Sequence, residues 1–547
     1  MGNTVSTSIS VSVGGASLQF CWPGQTCWPT SNDWSQFNAT VGGRLIATVP
    51  IGSPCHDPTY DAAACDALKA SWFNPLTHIA SSSSIMQPYF ANQSCDPFTD
   101  RAKPCTLGNY VAYAVKARNA DDVAATVKFA DKYNIPFIVR NTGHDFLGRS
   151  TAANALAVWT QDLKEISFDH GYSDKHYTGL AATVGAGVVG YELVEAAHKQ
   201  NYTVLTGECA TVGVAGGFTQ GGGHGALSTA FGLGADQTLS FEVVTTGGQI
   251  VTASPTKNSD LYWALSGGGG GTYGIVTKVT VRAHQAQKVG GAAMQLLAAR
   301  VTPDQYAAAV SSFHELLPGM IDKGAMVVYI LSAQYLVIKP VTVWNSNATY
   351  VRDVVLKPFT DALAANNITV PIGYSELSYR DHYDRYFGPL PRGAFEIARY
   401  QFGGRLIPRT TLTDQPANFH GAISKLLSSG VLLAGSAGNY AAPAGAAPNA
   451  VLPAWRKASI QLQLITGWNS TAPWATMEAA QKKMTDEFMP LIEGVTPGSG
   501  AYLNEADWRQ KNWQDAFFGS NYDRLLKIKK VWDPKGILKG EKLVGSA

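Results

Sequence analysis

The chain has 547 residues, enough to bury a large core spread over several domains or two large interleaved ones. Its 42 Lys and Arg nearly balance 40 Asp and Glu, and the resulting +2 formal charge supplies no basic field for nucleic acid or an anionic membrane. Charged residues make up only 15%, glycine is abundant at 55, and no apolar run approaches the length of a membrane span, a profile that suits an extracellular, loop-rich enzyme.

The opening MGNTVSTSISVSVGGASLQF lacks both a basic start and a continuous apolar middle, so no signal peptide is visible and the chain reads as a mature form with a new start methionine. Residues 1–105 are rich in Pro, Ser, Asn and Cys with little periodicity, which predicts loops and short helices. Cys21, Cys27, Cys55, Cys65, Cys95 and Cys105 all fall here and predict three disulfides, with the pairing left open. No Cys-x-x-Cys pair or histidine cluster accompanies them, which argues against zinc and against any metal site. Six Asn-x-Ser/Thr sequons, at Asn38, Asn92, Asn201, Asn347, Asn367 and Asn469, add to the case for secretion.

From Tyr110 a strand YVAYAVKA, a helix from Ala120 to Tyr133 and a buried strand IPFIVR have the spacing of a βαβ unit. The second strand runs into RNTGHDFLGRS, Arg140 to Ser150, a turn whose amides, Gly143, Gly148 and the cations Arg140 and Arg149 suggest an anion cradle. A formal G-x-G-x-x-G follows at Gly185, Gly187 and Gly190. It is a lone match without the repeated strand and helix alternation of a doubly wound sheet, and a nicotinamide site is set aside.

The stretch Thr206 to Gly225, TGECATVGVAGGFTQGGGHG, joins the seventh cysteine, Cys209, to eight glycines. Glycine lets a backbone approach a ligand closely, so the stretch reads as a cofactor cradle; the plainer reading is a Gly-rich surface loop around an inert thiol. A hairpin with Gly247 and Gly248 at its turn comes next, then five glycines before a strand within Asp260 to His284, implying a second close approach. Beyond His284, alternating strands are interspersed with helices: one opened by Thr302 and Pro303, then Ala348 to Ala365, Gln415 to Leu427 and Thr476 to Ile492. This predicts an antiparallel sheet with helices on one face. The tail from Ala501 is aromatic and polar, too particular in composition for a loose end. A Gly-x-Ser-x-Gly hydrolase elbow is not formed, since Ala434 to Gly438 reads AGSAG.

Four of these stretches, in this order, resemble motifs of the vanillyl-alcohol-oxidase (PCMH-type) superfamily of FAD enzymes, in its berberine-bridge-enzyme-like branch: RNTGHDFLGRS, ECATVGVAGGFTQGGGHG, DLYWALSGGGGGTYGIVT, and YLNEAD with GSNYDRLLKIKKVWDP. A fungal secreted member is expected. The resemblance implies an α+β, two-domain fold, in which an FAD-binding domain of two α/β subdomains carries a substrate domain whose antiparallel sheet is covered by helices. The expected divisions are a disulfide-rich region 1–105, an FAD-binding domain 106–284, a substrate domain 285–498, and a segment 499–547 returning to the FAD domain.

The resemblance also implies a flavin held by two covalent bonds, His144 to its 8α carbon and Cys209 to its C6 carbon, by nucleophilic addition of imidazole and thiolate. Around it the motifs place Arg140, Asn141, Thr142, Gly143, Asp145, Gly148 and Ser150; Thr211, Val212, Gly213 and Gly216; Gly221, Gly222, His224 and Gly225; and Gly274, Ile275 and Asn504. Substrate would pass a hydride to flavin N5 while a base removes a proton. Val212 stands where this branch gates oxygen, which favours an oxidase. Two departures affect the base: the sugar oxidases' Tyr-x-Asn-Tyr reads Tyr502, Leu503, Asn504, Glu505 here, and Phe146 replaces a tyrosine. Glu505 is therefore the candidate base and Tyr502 its partner, with a solvated loop charge as the plainer reading of Glu505. The expected activity is oxidation of an alcohol or related C–H centre in a carbohydrate or phenolic by a secreted monomer using O2 and releasing hydrogen peroxide. The rivals are a dehydrogenase with another acceptor and a flavin-bearing protein without turnover.

Overall fold

The computed structural model describes residues 20–546; the reading of the opening stretch falls on residues 1–19, outside the described residues. The cysteines of the first hundred residues pair with their neighbours, Cys21–Cys27, Cys55–Cys65 and Cys95–Cys105. Loops this short gain about 2–3 kcal/mol from closure, which suits a region with short helices and little core of its own. This region also contributes a strand, β1 (Leu45–Ala47), to the first sheet.

The expected β2 (Tyr113–Lys116), helix Ala120–Tyr133 and β3 (Phe137–Arg140) all form. Asn119 opens the helix by accepting from the Asp122 amide, a cap of about 1 kcal/mol, and Val123, Val127 and Ala130 bury one face. The two strands are not neighbours. β4 (Leu156–Trp159), buried along its whole length, lies between them and pairs parallel with both, giving the order β1-β2-β4-β3. A strand covered on both faces reads as a continuous apolar run and takes the centre of the sheet.

The second sheet is antiparallel, in the order β5-β6-β10-β8-β9, from β5 (Ile166–Ser173), β6 (Thr178–Gly185), β8 (Thr238–Val244), β9 (Ile250–Ala253) and β10 (Ile275–Arg282). The β8–β9 hairpin is the one expected at Gly247 and Gly248. A two-residue pair, β7 (Tyr202–Thr203) with β11 (His284–Gln285), lies beside it. At the formal G-x-G-x-x-G, added Cβ atoms on Gly185 and Gly187 would strike the backbone of Leu163 and Gln161. The first amides of the following helix are also taken, Gly190 donating to the Val212 carbonyl and Tyr191 to that of Ala210. That turn packs chain on chain.

The third sheet has seven antiparallel strands in the order β15-β12-β14-β13-β17-β18-β16. They are β12 (Lys288–Leu297), β13 (Ala325–Leu331), β14 (Tyr335–Trp344), β15 (Ile372–Ser378), β16 (Tyr400–Pro408), β17 (Leu432–Ala437) and β18 (Ala458–Gly467). Period-2 alternation divides its faces. Ile460, Leu462, Leu464 and Leu433 join Phe313, Phe359 and Phe419 of the covering helices in one core, while Gln463, Ile465, Ala434 and Ser436 point the other way. The four expected helices form, with π turns at Val351–Val355 and Met484–Phe488 breaking the second and fourth, and helices Tyr379–Phe387 and Arg409–Thr413 join them unexpected. The C-terminal segment returns to the first sheet, where Leu538 bridges Phe137 and the buried Lys529 ammonium donates to the carbonyls of Thr272 and Leu538 and to Asp533. No helix among the described residues is long and apolar enough to cross a membrane.

Candidate functional site

A cavity of about 640 Å³ lies where the turn after β3, the Thr206–Gly225 loop, the C-terminal segment and the uncovered face of the seven-stranded sheet meet. That size is within the usual range for cofactor and substrate clefts, about 300–1,000 Å³. The loop supplies a thin wall. Gly213, Gly216 and Gly217 face the cavity, and an added Cβ on Gly213 would collide with the Asn141 amide, which itself donates to the Ala186 carbonyl. Gly270 and Gly271 line the same cavity, the second with a φ of +66°.

The two presumed attachment residues lie on one hydroxyl. Asp145 closes the turn after β3 by accepting from the amides of Leu147 and Ser150, and the turn presents His144 with its Nε2 2.8 Å from Thr211 Oγ1. Cys209 Sγ lies 3.5 Å from the same Thr211 oxygen. Cys209 is the one free cysteine among the described residues, and no group of metal-ligating residues forms there. Burial, then the charges of His78 and Arg140, lowers the His144 imidazole to about 4 and leaves it neutral, the nucleophilic form. Burial also pushes the Cys209 thiol up, against the Thr211 hydrogen bond, so the protonated thiol is its resting state and the nucleophilic thiolate forms by loss of that proton.

Asn141, Thr142, Gly143, Asp145, Ser150, Val212, Gly213, Gly216, His224, Tyr502, Asn504 and Glu505 line the cavity beside His144 and Cys209. Arg140 does not: its guanidinium is buried and donates to the carbonyls of His78 and Ser81, tying down the N-terminal region. Arg149 lines the cavity but donates to the carbonyls of Glu541 and Lys542. Both cations of the expected anion cradle are thus engaged with backbone. Thr211 is fully buried behind His144 and Cys209. Gly148, Gly221, Gly225 and Gly274 stand against Phe90, Asn504, Thr206 and Val243, Gly222 has a φ of +115°, and Ile275 belongs to a core. These six lie away from the cavity wall.

Glu505 is not a solvated loop charge. Its Oε2 accepts from Gln463 Nε2 at 2.6 Å and lies 3.2 Å from His224 Nε2. On the other side of the ring, His224 Nδ1 lies 3.6 Å from Glu208 Oε1, an ion-pair separation too long for a hydrogen bond. Ser436 Oγ donates to both Glu208 oxygens, at 3.0 and 3.2 Å. Burial disfavours charge on His224, but Glu505 and then Glu208 outweigh it and raise the imidazolium to about 10. Tyr502 is buried against this ring, and its phenol oxygen receives the Asn504 amide, which also donates to the Gly217 carbonyl. Burial and then Glu505 push the Tyr502 phenol up, so it stays protonated. Phe146 stacks on Phe402 with ring centroids 3.9 Å apart, closing that side with apolar surface.

The sequence reading missed Glu208, Ser436 and Gln463. Glu208 adjoins Cys209 and carried a visible signal, an acid inside a glycine loop. Ser436 and Gln463 carried none, because only pairing in the sheet brings them over the loop.

A family model described as an FAD binding domain matches residues 111–254, and one described as berberine and berberine like matches residues 501–542. The FAD-linked oxidoreductase ZEB1 of Gibberella zeae is 45% identical over 96% of this chain and 92% of its own. The crystal structure of the VAO-type flavoprotein MtVAO615 from Myceliophthora thermophila C1 superposes with a TM-score of 0.91 at 38% identity, covering 96% of this chain and 97% of that one. Glucooligosaccharide oxidase from Acremonium strictum, which carries a 6-S-cysteinyl, 8α-N1-histidyl FAD, shares the fold at a TM-score of 0.66 and 19% identity, over 79% of this chain and 91% of its own. The residues here fit an FAD: the cavity has a wall of glycines for a flat ring, and His144 and Cys209 converge on it through one hydroxyl.

Proposed function

The chain belongs to the berberine-like, VAO-type FAD-linked oxidoreductases, and from that premise we propose that it is a secreted oxidase with FAD attached at both His144 and Cys209. The observation that carries the double attachment is Thr211, whose hydroxyl contacts the side chains of both residues. Bound FAD supplies a two-electron acceptor that dioxygen regenerates with release of hydrogen peroxide.

The chain's own residues supply substrate binding and the proton chemistry. Glu505, held by Gln463 and His224, is the candidate base for a substrate hydroxyl. Both contacts fall on Oε2, and among the described residues none donates to Oε1. Tyr502, protonated and buried beside the ring, acts as a positioning partner through Asn504. The stacked Phe146 and Phe402 face a small organic alcohol with apolar surface, which favours a phenolic over a carbohydrate. Val212 lines the cavity three residues after Cys209, consistent with oxygen as the acceptor. Secretion is supported by the three disulfides and by the exposure of the sequon residues Asn201, Asn347, Asn367 and Asn469.

Acid precipitation tests the attachment. Yellow colour is expected in the pellet of the wild type and of His144→Ala and Cys209→Ala, and in the supernatant of the double variant. Colour released by acid from the wild type would overturn it. Peroxide release from aromatic alcohols compared with oligosaccharides, and with a dye as competing acceptor, then tests substrate class and oxidase against dehydrogenase.

A further inference from the structure

Two segments far apart in sequence, the Thr206–Gly225 loop and the C-terminal segment, place Glu208, His224 and Glu505 in a line, with side-chain exposures of 11%, 5% and 24%. All three groups line the cavity, Glu505 the most exposed and the ring the least, and the Glu208 carboxylate beyond the ring is anchored by Ser436 on the seven-stranded sheet. Two carboxylates this close to one buried ring would repel each other and pay heavily for desolvation unless a cation stood between them. We propose that Glu208 and His224 are a charge clamp behind Glu505, in which Glu208 keeps the ring an imidazolium and the imidazolium pins Glu505 Oε2. This deepens the reading of Glu505 as the base and rests on it.

The stoichiometry explains the construction. A single imidazolium beside Glu505 would orient the carboxylate but weaken it as a proton acceptor, because the positive charge disfavours neutralising it. Glu208 supplies a second negative charge across the ring, and the three groups together carry a net charge of minus one. When Oε1 takes the proton of a substrate hydroxyl, the substrate O–H bond breaks, its electron pair stays on the substrate oxygen, and an O–H bond forms on Glu505. The cluster passes from minus one to neutral, and the imidazolium keeps both its protons throughout. The other titratable groups near the ring are the phenols of Tyr502 and Tyr440, held neutral by burial, and Cys209, a buried neutral thiol that the proposed attachment turns into an uncharged thioether. None of them supplies the missing cation. Glu208 and His224 are thus positioning residues acting through Glu505, and a role confined to joining the loop to the sheet would leave the ring's charge indifferent to Glu208.

Histidine-labelled holoenzyme tests the clamp directly by nuclear magnetic resonance, with the His224 signal identified by its loss in His224→Gln. The expected result is an imidazolium from pH 5 to 9 in the wild type. In Glu208→Gln, which retains a hydrogen-bonding partner for Ser436, the proton affinity of the ring should fall at least about tenfold and its titration enter that range. Ser436→Ala, which leaves both charges in place but removes a donor from Glu208, should move it less and in the opposite direction, raising the proton affinity of the ring, and serves if Glu208→Gln does not fold. A neutral His224 at pH 7 in the wild type, or a titration unmoved by either variant, would overturn the clamp. The readout is charge and not turnover, so an enzyme inactive on every alcohol tried would count against the base reading, while a neutral ring would count against the clamp.

Discussion

Two ionic clusters join the segment 206–237 to the chain beyond residue 430, and they differ in stoichiometry. In the first, the fully buried Asp236 receives the Arg456 guanidinium through both oxygens at 2.7 Å, with the Leu233 amide and the Asn449 side chain completing its bonds. One negative charge meets one permanent positive charge, and the cluster has nothing to give or take. In the second, two carboxylates share one histidine, a group able to titrate, and all three line a cavity. A closed pair holds a fold together, whereas surplus charge at a cavity is retained where a proton has to move.

Removing one carboxylate from each cluster should separate the roles. Glu505→Gln is expected to lower peroxide release by about 10²–10⁴-fold, the range for losing a general base, with a thermal midpoint close to wild type. Asp236→Ala should do the reverse, costing about 3 kcal/mol of stability by leaving Arg456 without its partner, which denaturant titration would register. The two should also answer differently to pH. The His224 ring is raised in the folded state to about 10, so its contribution to stability is complete below its unfolded value of about 6.5 and is lost as pH rises through about 10. Unfolding followed across that window should show a decline that His224→Gln flattens and that no substitution at Arg456 reproduces. The smallest change is Ser436→Ala, which deletes one hydroxyl donor to a carboxylate and should cost about 1–2 kcal/mol of stability.

Legibility from sequence followed the range of the forces involved. The helix Ala120–Tyr133, the hairpin at Gly247 and Gly248 and the capped helix after Thr302 were all readable, because capping, turn chemistry and periodicity act over a few residues. The insertion of β4 between β2 and β3 was not, since strand order depends on which strand best fills the middle of a sheet. The turn at Arg140 shows the same limit from the other side. Its composition suggested an anion cradle, yet Arg140 is spent on carbonyls some 60 residues earlier. Nothing local records that competition.

The sequence by itself determined the kind of protein this is: the glycine loops, the lone Cys209, the His144 turn and the C-terminal motif are contiguous strings, legible without knowing how the chain packs. It also supplied Glu505 as a candidate. Only the tertiary structure decided what stands behind that carboxylate. Gln463 and Ser436 face the cavity because of strand register, and Glu208 and Glu505 flank His224 because a C-terminal segment folds back over a loop nearly 300 residues earlier. The charge on a buried imidazole is set by what lies within a few ångströms in space, and that neighbourhood exists only once the sheets have packed.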